Sequence, residues 1–556
     1  MNNTDLPLSE YPRPQLVRDS YLCLNGEWEY AITQDEYIPQ DFQGKIIVPF
    51  SPECNKDINY ILQPDEYLYY RKRFSLDHDF NKGRVLLHFM AVDQIAKVWV
   101  NDKYLGEHIG GFLPFEFDIT KYLQFENEII VQVVDFTDTS YHARGKQKLA
   151  RGGIWYTPQS GIYMPVWIES VPKHYVQSLK VTCDVDASLV HIKVNSDGVY
   201  PVTIYLKETI DIKIDSPRLW KPKDPFLYEF KVKLEEDEVS SYFGMRKIST
   251  YKDEKGIVRI ALNNRPIFMS GVLDQGYYQD TLLTPPSDEA YIKDITLLKS
   301  LGFNCIRKHI KIESPRWYYH CDKLGMLVWQ DFVNGGEPYK FSTIAFPLIT
   351  RVHLKDHNYK KFSRNDDMGR KYFIKDMLET VMYLYNSPSI VLWTIFNEGW
   401  GQFDSKQMVD IVRSYDKTRL IDHASGWHDQ GVSDVKSDHV YFRKYKLPKK
   451  SNGRAIVLSE FGGYHLAIEN HTYSDKSFGY KGYEDKKELT NAIVKLLEKE
   501  ILPNIKKGLC ASIYTQLSDV EDEVNGFITF DRKVVKVDDY RIKGANDLLM
   551  SEVEKL

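Results

Sequence analysis

The sequence predicts a multidomain chain: an all-β jelly-roll sandwich, then an immunoglobulin-like β-sandwich, then a (β/α)8 barrel. Three observations carry that reading. At 556 residues the chain is too long for one compact core. Its first 250 residues hold short strand patterns and no long helical period. Beyond residue 251 strand and helix patterns alternate, as in a parallel sheet with helical crossovers.

Residues 1–172 form the expected jelly roll. Runs such as RVLLHFM, AKVWV and NEIIVQVV cluster β-branched and aromatic residues between turn signals. Asn101 and Asp102, in VWVNDKYLGE, sit between two such runs as a hairpin turn would. Residues 173–250 continue with VQSLKVTC, SLVHIKVN, PVTIYLKE and FLYEFKVKL, broken by the proline-rich SPRLWKPKDP. That length suits one immunoglobulin-like sandwich.

Residues 251–556 supply the barrel. Eight apolar runs serve as strands: 267–272, 303–309, 326–332, 390–398, 419–426, 439–442, 455–461 and 511–517. Between them, Ser287 is placed to cap a helix that Gly302 ends, and Ser314–Pro315 opens another that Gly325 closes. Segments 366–386, 403–416 and 487–502 also carry a helical period, whereas the connections after the fifth and sixth strands are too short for full helices. In such a barrel the working end lies at the C-terminal ends of the strands.

Composition removes several classes of function. Charged residues make up 27% with a net charge of -5, both signs interspersed, so neither nucleic acid nor a membrane surface is an expected partner. No apolar run approaches the roughly 18 residues that span a bilayer. The polar, proline-containing start lacks a charged-then-apolar leader pattern, from which a cytoplasmic location is expected. The six cysteines are scattered without metal-ligand spacing and read as buried free thiols. The 13% aromatic content fits β cores first and sugar-stacking surfaces second.

The informative acids are those that end apolar runs. Glu398 closes IVLWTIFNE and Glu460 closes AIVLSEF, which puts both at the barrel rim on the fourth and seventh strands. Retaining glycoside hydrolysis needs two carboxyl groups about 5–5.5 Å apart, one protonated and one ionised. Asn397 is placed to bond a sugar hydroxyl. Arg307, ending the second strand, would hold a neighbouring carboxylate ionised, and His309 could donate to another hydroxyl. Tyr441 could steady the nucleophile through its phenol. Trp400, Trp427 and Trp329 lie at or near strand ends, where an indole could stack on a sugar, and Asp274 follows the first strand. The loop 462–486 brings Tyr464, Tyr473, Phe478, Tyr480 and Tyr483, and loop 333–365 is a candidate lid or pocket wall.

These residues stand in segments that together resemble glycoside hydrolase family 2. SGIYMPVWIE, PRLWKPKDPFLY, FGMRKI, LGFNCIRKHIKIESPRWYYHCDKLGMLVWQDF, WTIFNEGWGQFD, SEFGG and YTQLSDVEDEVNGFITFDR all match family segments. The resemblance implies Glu398 as acid/base and Glu460 as nucleophile, with His309, Arg307, Asn397 and Tyr441 supporting. It implies a small oligosaccharide or glycoside as partner, and it admits a homo-oligomer. The large metal-dependent β-galactosidases carry Glu-x-His after the third strand, where this chain reads QDFVNGG, so neither catalytic metal nor cofactor is expected. The β-glucuronidases carry Asn-x-Lys where this chain offers Asn525 without the lysine; Lys308 or Lys340 could substitute. A β-galactoside is the first expected substrate, ahead of a β-glucuronide, β-mannoside or α-L-arabinoside. A binding-only protein on the same scaffold is the alternative of another class.

Overall fold

The computed structural model describes residues 6–198, 202–206, 213–350 and 352–555. The first unit is a sandwich of two antiparallel sheets. One runs in the spatial order Tyr21–Cys23, Val166–Val171, Arg84–Phe89, Phe115–Asp118. The other runs Gly44–Val48, Gly26–Thr33, Tyr67–Phe74, Asn127–Val134, Ile95–Val100, Lys103–Ile109. Alternate residues of both sheets, among them Trp28, Val85, Leu87, Phe89, Val98, Val131 and Ile168, close the core between them. The expected hairpin is present: Asn101 and Asp102 have φ of 48° and 61°, the pair of left-handed residues that a tight two-residue turn needs.

The second unit pairs Val176–Asp184 with Leu189–Ser196, and Val202–Leu206 with Tyr228–Leu234 and Asp237–Phe243, around Val181, Val190, Phe230, Val232 and Phe243. Of the expected strand PVTIYLKE, residues 202–206 form a strand and the flanking residues lie outside the described set. All six cysteines are free; Cys54 and Cys183 are half-buried and the other four buried.

The barrel has eight parallel strands: β1 Met269–Asp274, β2 Cys305–Lys308, β3 Leu327–Asp331, β4 Ile390–Thr394, β5 Leu420–Asp422, β6 Val435–Val440, β7 Ala455–Gly462 and β8 Leu509–Thr515. Among the described residues six helices of ten or more residues line it outside: α1 Asp288–Ser300, α2 Pro315–Leu324, α3 Asp367–Leu384, α4 Ser405–Tyr415, α5 Lys486–Leu496 and α6 Asp539–Glu554. Met269, Leu273, Cys305, Leu327, Trp329, Leu392, Val457 and Ile513 fill the interior, while Val272, Ile306, Val328, Trp393 and Leu458 face the helices. The floor is covered by the hairpin Ile248–Lys252/Val258–Leu262, whose Ile248, Val258 and Ile260 join that interior cluster.

Three local expectations need correction. β6 begins at Val435 and stops before Tyr441, because Ser437 and Asp438 interrupt the apolar signal that placed the strand at 439–442. Helix α6, with Ile542, Ala545, Leu549 and Val553 buried, follows β8 where no element was expected. Ser287 occupies its cap position without a capping hydrogen bond, whereas the Ser314 hydroxyl does accept from the Arg316 amide.

Hydrogen-bonded strand pairing runs from β5 through β1 and β8 to β6, and the seam between β5 and β6 is bridged otherwise. The Asp434 carboxylate accepts the Ile421 amide at 2.9 Å, its own amide donates to Ile421 O at 3.2 Å, and Arg413 pairs with it from α4. An amide left unmatched in such a place costs about 1–3 kcal/mol. Asp434→Ala should therefore speed hydrogen exchange at the Ile421 amide by roughly 5- to 150-fold. Unchanged exchange would mean that other contacts close the seam.

Candidate active site

The rim is organised by one buried guanidinium. Arg307, on the inward face of β2, is 0% exposed. Its Nε and Nη2 reach the two oxygens of Asp331 at the end of β3, both at 3.0 Å. Nη2 also donates to Asn397 Oδ1 at 2.8 Å, and Nη1 donates to Ser459 O at 3.1 Å and Glu460 Oε1 at 3.0 Å. Asp331 takes a further bond from His309 Nδ1 at 2.8 Å. Burial and the Arg307 charge oppose one another at Asp331, and its pKa ends below the usual carboxylate value.

Glu460 reaches this cluster through a bulge. On β7, Val457 faces the barrel axis and Leu458 the helices, so strict alternation would turn residue 460 outward. Pairing with β6 instead steps from Asp438–Leu458 to His439–Glu460, one extra residue on β7. Glu460 is thereby aimed inward and Phe461 packs outward, the kind of re-aiming that bulges supply beside working sites. Tyr441 donates its phenolic proton to Glu460 Oε2 and stands 3.1 Å from Thr515 Oγ1. Burial alone would raise the pKa of Glu460, but the charges of His439 and Arg307, with the Tyr441 bond, hold it down to about 2.

Glu398 follows β4 in a left-handed turn, φ 50°, fixed by its amide on Ser425 O and by Trp427 Nε1 donating to its carbonyl at 2.9 Å. Its Oε1 lies 2.8 Å from His439 Nδ1. Burial raises the Glu398 pKa against the His439 bond, and the charge of Glu460 raises it further. One oxygen of each glutamate and a ring nitrogen of His439 lie within 4.8 Å of one another. Two carboxyl groups of one chemistry are thus separated by their partners: Glu460 receives donors, and Glu398 shares a proton with a histidine.

His309 is kept neutral, its pKa lowered to about 4, chiefly by burial. A neutral ring that donates its Nδ1–H to Asp331 leaves Nε2 an acceptor, so this residue accepts a hydrogen bond from a hydroxyl instead of making the expected donation. Arg307 fixes the Asn397 amide with its NH2 as the free donating edge. Trp400 lies against Trp155 at 5.1 Å and parallel to Tyr339 at 6.0 Å, and Trp427 meets His439 edge-on at 5.5 Å. Tyr339 belongs to the 333–365 loop and Trp155 to the first sandwich, so the aromatic wall is built from three parts of the chain.

Other expected residues are placed elsewhere. Asp274 shares the outward side of β1 with Val272; Lys308 takes one of its oxygens and the Gly276 amide the other, at 2.8 Å. Lys308 also pairs with Glu313 at 2.9 Å, outside the barrel. Trp329 lies within β3 in the interior packing below the rim. The Lys340 ammonium is exposed and bonds Lys360 O. The Asn525 amide is taken by Gln516 and Glu523 at 2.8 and 3.0 Å. In the loop 462–486, Tyr480 stacks on Tyr441 at 3.7 Å, while Tyr464 and Tyr483 pack on each other and Tyr473 on Phe530.

Two members of the cluster were not foreseen. His439 precedes Tyr441 by two residues and so shares its inward face, and Asp331 ends an apolar run just as the two glutamates do.

Known proteins agree with this architecture. Residues 55–172 match the glycosyl hydrolases family 2 sugar-binding domain, residues 171–246 the model for glycosyl hydrolases family 2, and residues 255–463 its TIM barrel domain. A β-galactosidase of Thermoanaerobacter pseudethanolicus is 26% identical over 80% of this chain and 61% of its own length. A putative β-glucuronidase of Formosa agariphila is 24% identical over 70% of this chain and 48% of its own. The chain thus spans less than two thirds of these curated relatives. Among solved structures, a β-D-glucuronidase of Dictyoglomus thermophilum shares the fold with a TM-score of 0.73 at 20% identity, over 98% of this chain and 99% of that one. A β-galacturonidase of Eisenbergiella tayi does so with 0.72 at 17%, over the same shares. No helix among the described residues is long and apolar enough to cross a membrane.

The geometry makes a pH prediction. A group whose pKa is depressed keeps its charge until pH falls through that lowered value. Tyr441→Phe removes one donor from Glu460, so its pKa should rise and the acidic limb of any activity that needs its charge should move to higher pH. Turnover should fall by roughly 10- to 100-fold. An unmoved acidic limb would show that Tyr441 does not hold the Glu460 charge.

Proposed function

The chain belongs to glycoside hydrolase family 2, and from that premise we propose that it is a retaining exo-β-glycosidase releasing a terminal sugar by double displacement. The observation that carries the proposal is the pair of facing glutamates whose surroundings push their pKa values apart, Glu460 down and Glu398 up. Glu460, ionised by Arg307 and Tyr441, attacks the anomeric carbon. Glu398, with the proton it shares with His439, protonates the departing oxygen. Bond formation to Glu460 leaves a glycosyl ester. Glu398, now a base, takes a proton from water, which displaces Glu460 and restores the β configuration. Asn397 and His309 hold sugar hydroxyls beside the reacting carbon. Trp400 and Trp427 frame the pocket, the first as an aromatic wall and the second by fixing the Glu398 turn.

The separation supports retention over inversion. An inverting pair of carboxyl groups stands about 6.5–9.5 Å apart to admit a water, whereas here one oxygen of Glu398 lies within 4.8 Å of one oxygen of Glu460. Two glycones lead. Several similar curated proteins are named β-galactosidases, and structural neighbours that match this chain along its length are named for a β-hexuronide.

A panel of p-nitrophenyl glycosides, with galactoside, glucuronide, galacturonide, mannoside, glucoside and α-L-arabinofuranoside, tests the reading. One β-glycoside should be cleaved by the wild type, and Glu398→Ala and Glu460→Ala should each lose at least about 10³-fold in kcat on it. Azide should yield β-glycosyl azide with Glu398→Ala and α-glycosyl azide with Glu460→Ala. The reverse pattern would exchange the two roles, and wild-type turnover surviving in both variants would end the proposal.

A further inference from the structure

One charged group beside the site has no counter-ion among the described residues. Lys146 belongs to the first sandwich, not the barrel, and is only 7% exposed. Among the described residues its ammonium makes no ion pair. Its single polar contact is a long one, 3.5 Å to the Tyr156 hydroxyl, which already donates its own proton to Glu523. The ring faces of Tyr156 and Trp400 lie 5.2 and 5.9 Å away. The Trp400 Nε1 is likewise a buried donor without a partner among the described residues. A buried ammonium is costly unless an anion or several acceptors meet it, and aromatic faces offset only part of that cost.

The placement is built, not accidental. Arg144 and Gly145 donate their amides to Asn334 O of the barrel at 2.9 and 3.2 Å. Gly145 has φ 61°, and a side chain there would come within 2.9 Å of Ile310 O. Gln147, on the other side, donates to Asp93 at 2.8 Å and accepts the Gln159 amide. Packing alone could be met here by a neutral side chain of the same length. The charge is felt at the site itself, at His309 and at Glu398.

We propose that Lys146 is a specificity-determining residue whose ammonium receives an anionic oxygen group carried by the sugar that is released. The proposal rests on the retaining-glycosidase reading. In an exo-acting site the departing group leads out to solvent and the released sugar lies on the enclosed side, and Lys146, only 7% exposed, stands 5.9 Å from the Trp400 ring that walls the site. A carboxylate and a sulfate ester offer the same chemistry to this cation. In the barrel loop after β8, Asn525 already donates to Glu523 and accepts from Gln516.

The test compares p-nitrophenyl β-glucuronide, β-galacturonide and 6-sulfo-β-galactoside with the neutral β-glucoside and β-galactoside, using wild type, Lys146→Met and Lys146→Arg. Thermal melting of each variant checks that it folds. The wild type should prefer an anionic glycoside to its neutral counterpart, and which one tells carboxylate from sulfate. In Lys146→Met the anionic-to-neutral ratio of kcat/KM should drop about 100-fold, mostly through KM, and Lys146→Arg should recover about tenfold of it. An equal loss on both kinds of substrate, or a wild type that cleaves neutral glycosides only, would overturn the role of Lys146 and leave the glycosidase reading standing. No turnover of any glycoside in either panel would bring down both.

Discussion

Everything at the rim hangs on keeping one cation dry. Arg307 has no exposure, so its N–H groups must find acceptors inside the protein, and they find them on three other strand ends. Asp331 comes from β3, Asn397 from the turn after β4, and Ser459 and Glu460 from β7. Breaking a buried pair by removing one partner costs about 3–5 kcal/mol, because the other charge stays behind unmatched. That penalty ties the positions of four strands to one planar group. It also explains why Glu460 stays ionised where burial alone would protonate it.

The first sandwich belongs to the same unit as the rim. Its segment 142–160 crosses the barrel mouth with its polar groups matched there: Arg144 and Gly145 to Asn334, Thr157 to Glu521 at 2.8 Å, Tyr156 to Glu523, Gln159 to Thr284 at 2.9 Å. Each of those barrel acceptors is buried by the contact and would need water without it. An accessory domain fastened in this way does more than frame a pocket. It sets the depth of the mouth, and it delivers Trp155 and Lys146 to positions that the βα loops leave open.

How much of this could be read from the chain follows from what each signal measures. The layer order and the eight barrel strands were legible because period and turn residues report burial of a face, and burial is what folds the domains. Glu398 and Glu460 were legible as candidates because each ends an apolar strand run inside a segment, WTIFNEGWGQFD or SEFGG, that resembles the family; position alone would not have set them apart from Asp274 or Asp331, which also end strands. The β7 bulge left no trace: one inserted residue changes neither composition nor apolar count, yet it decides whether Glu460 faces the axis or the helices. Asp274 was misread for the same reason, since facing depends on parity within β1, and its partner Lys308 lies 34 residues on. Lys146 was invisible because its meaning lies in the absence of an anion around it, a property of the folded surroundings and not of the sequence.

The placement of His439 completes the logic of the pair. It touches Glu398 at 2.8 Å and stands 3.6 Å from Glu460, so it feels both charges. Burial disfavours its cationic form, but Glu460, with Glu398, raises its pKa above the ordinary histidine value. The same Glu460 charge adds to the rise at Glu398. In the proposed reaction, that charge disappears as the bond to the sugar forms. The field that raises the pKa of Glu398 and of His439 therefore weakens just as the departing oxygen comes to need a proton. Each pKa unit released in this way is about 1.4 kcal/mol toward proton transfer. Hydrolysis of the ester restores the Glu460 charge and, with it, the pull that returns a proton to Glu398. In that proposed reaction the two carboxyl groups, one oxygen of each within 4.8 Å of the other, drive one another through their shared electrostatics.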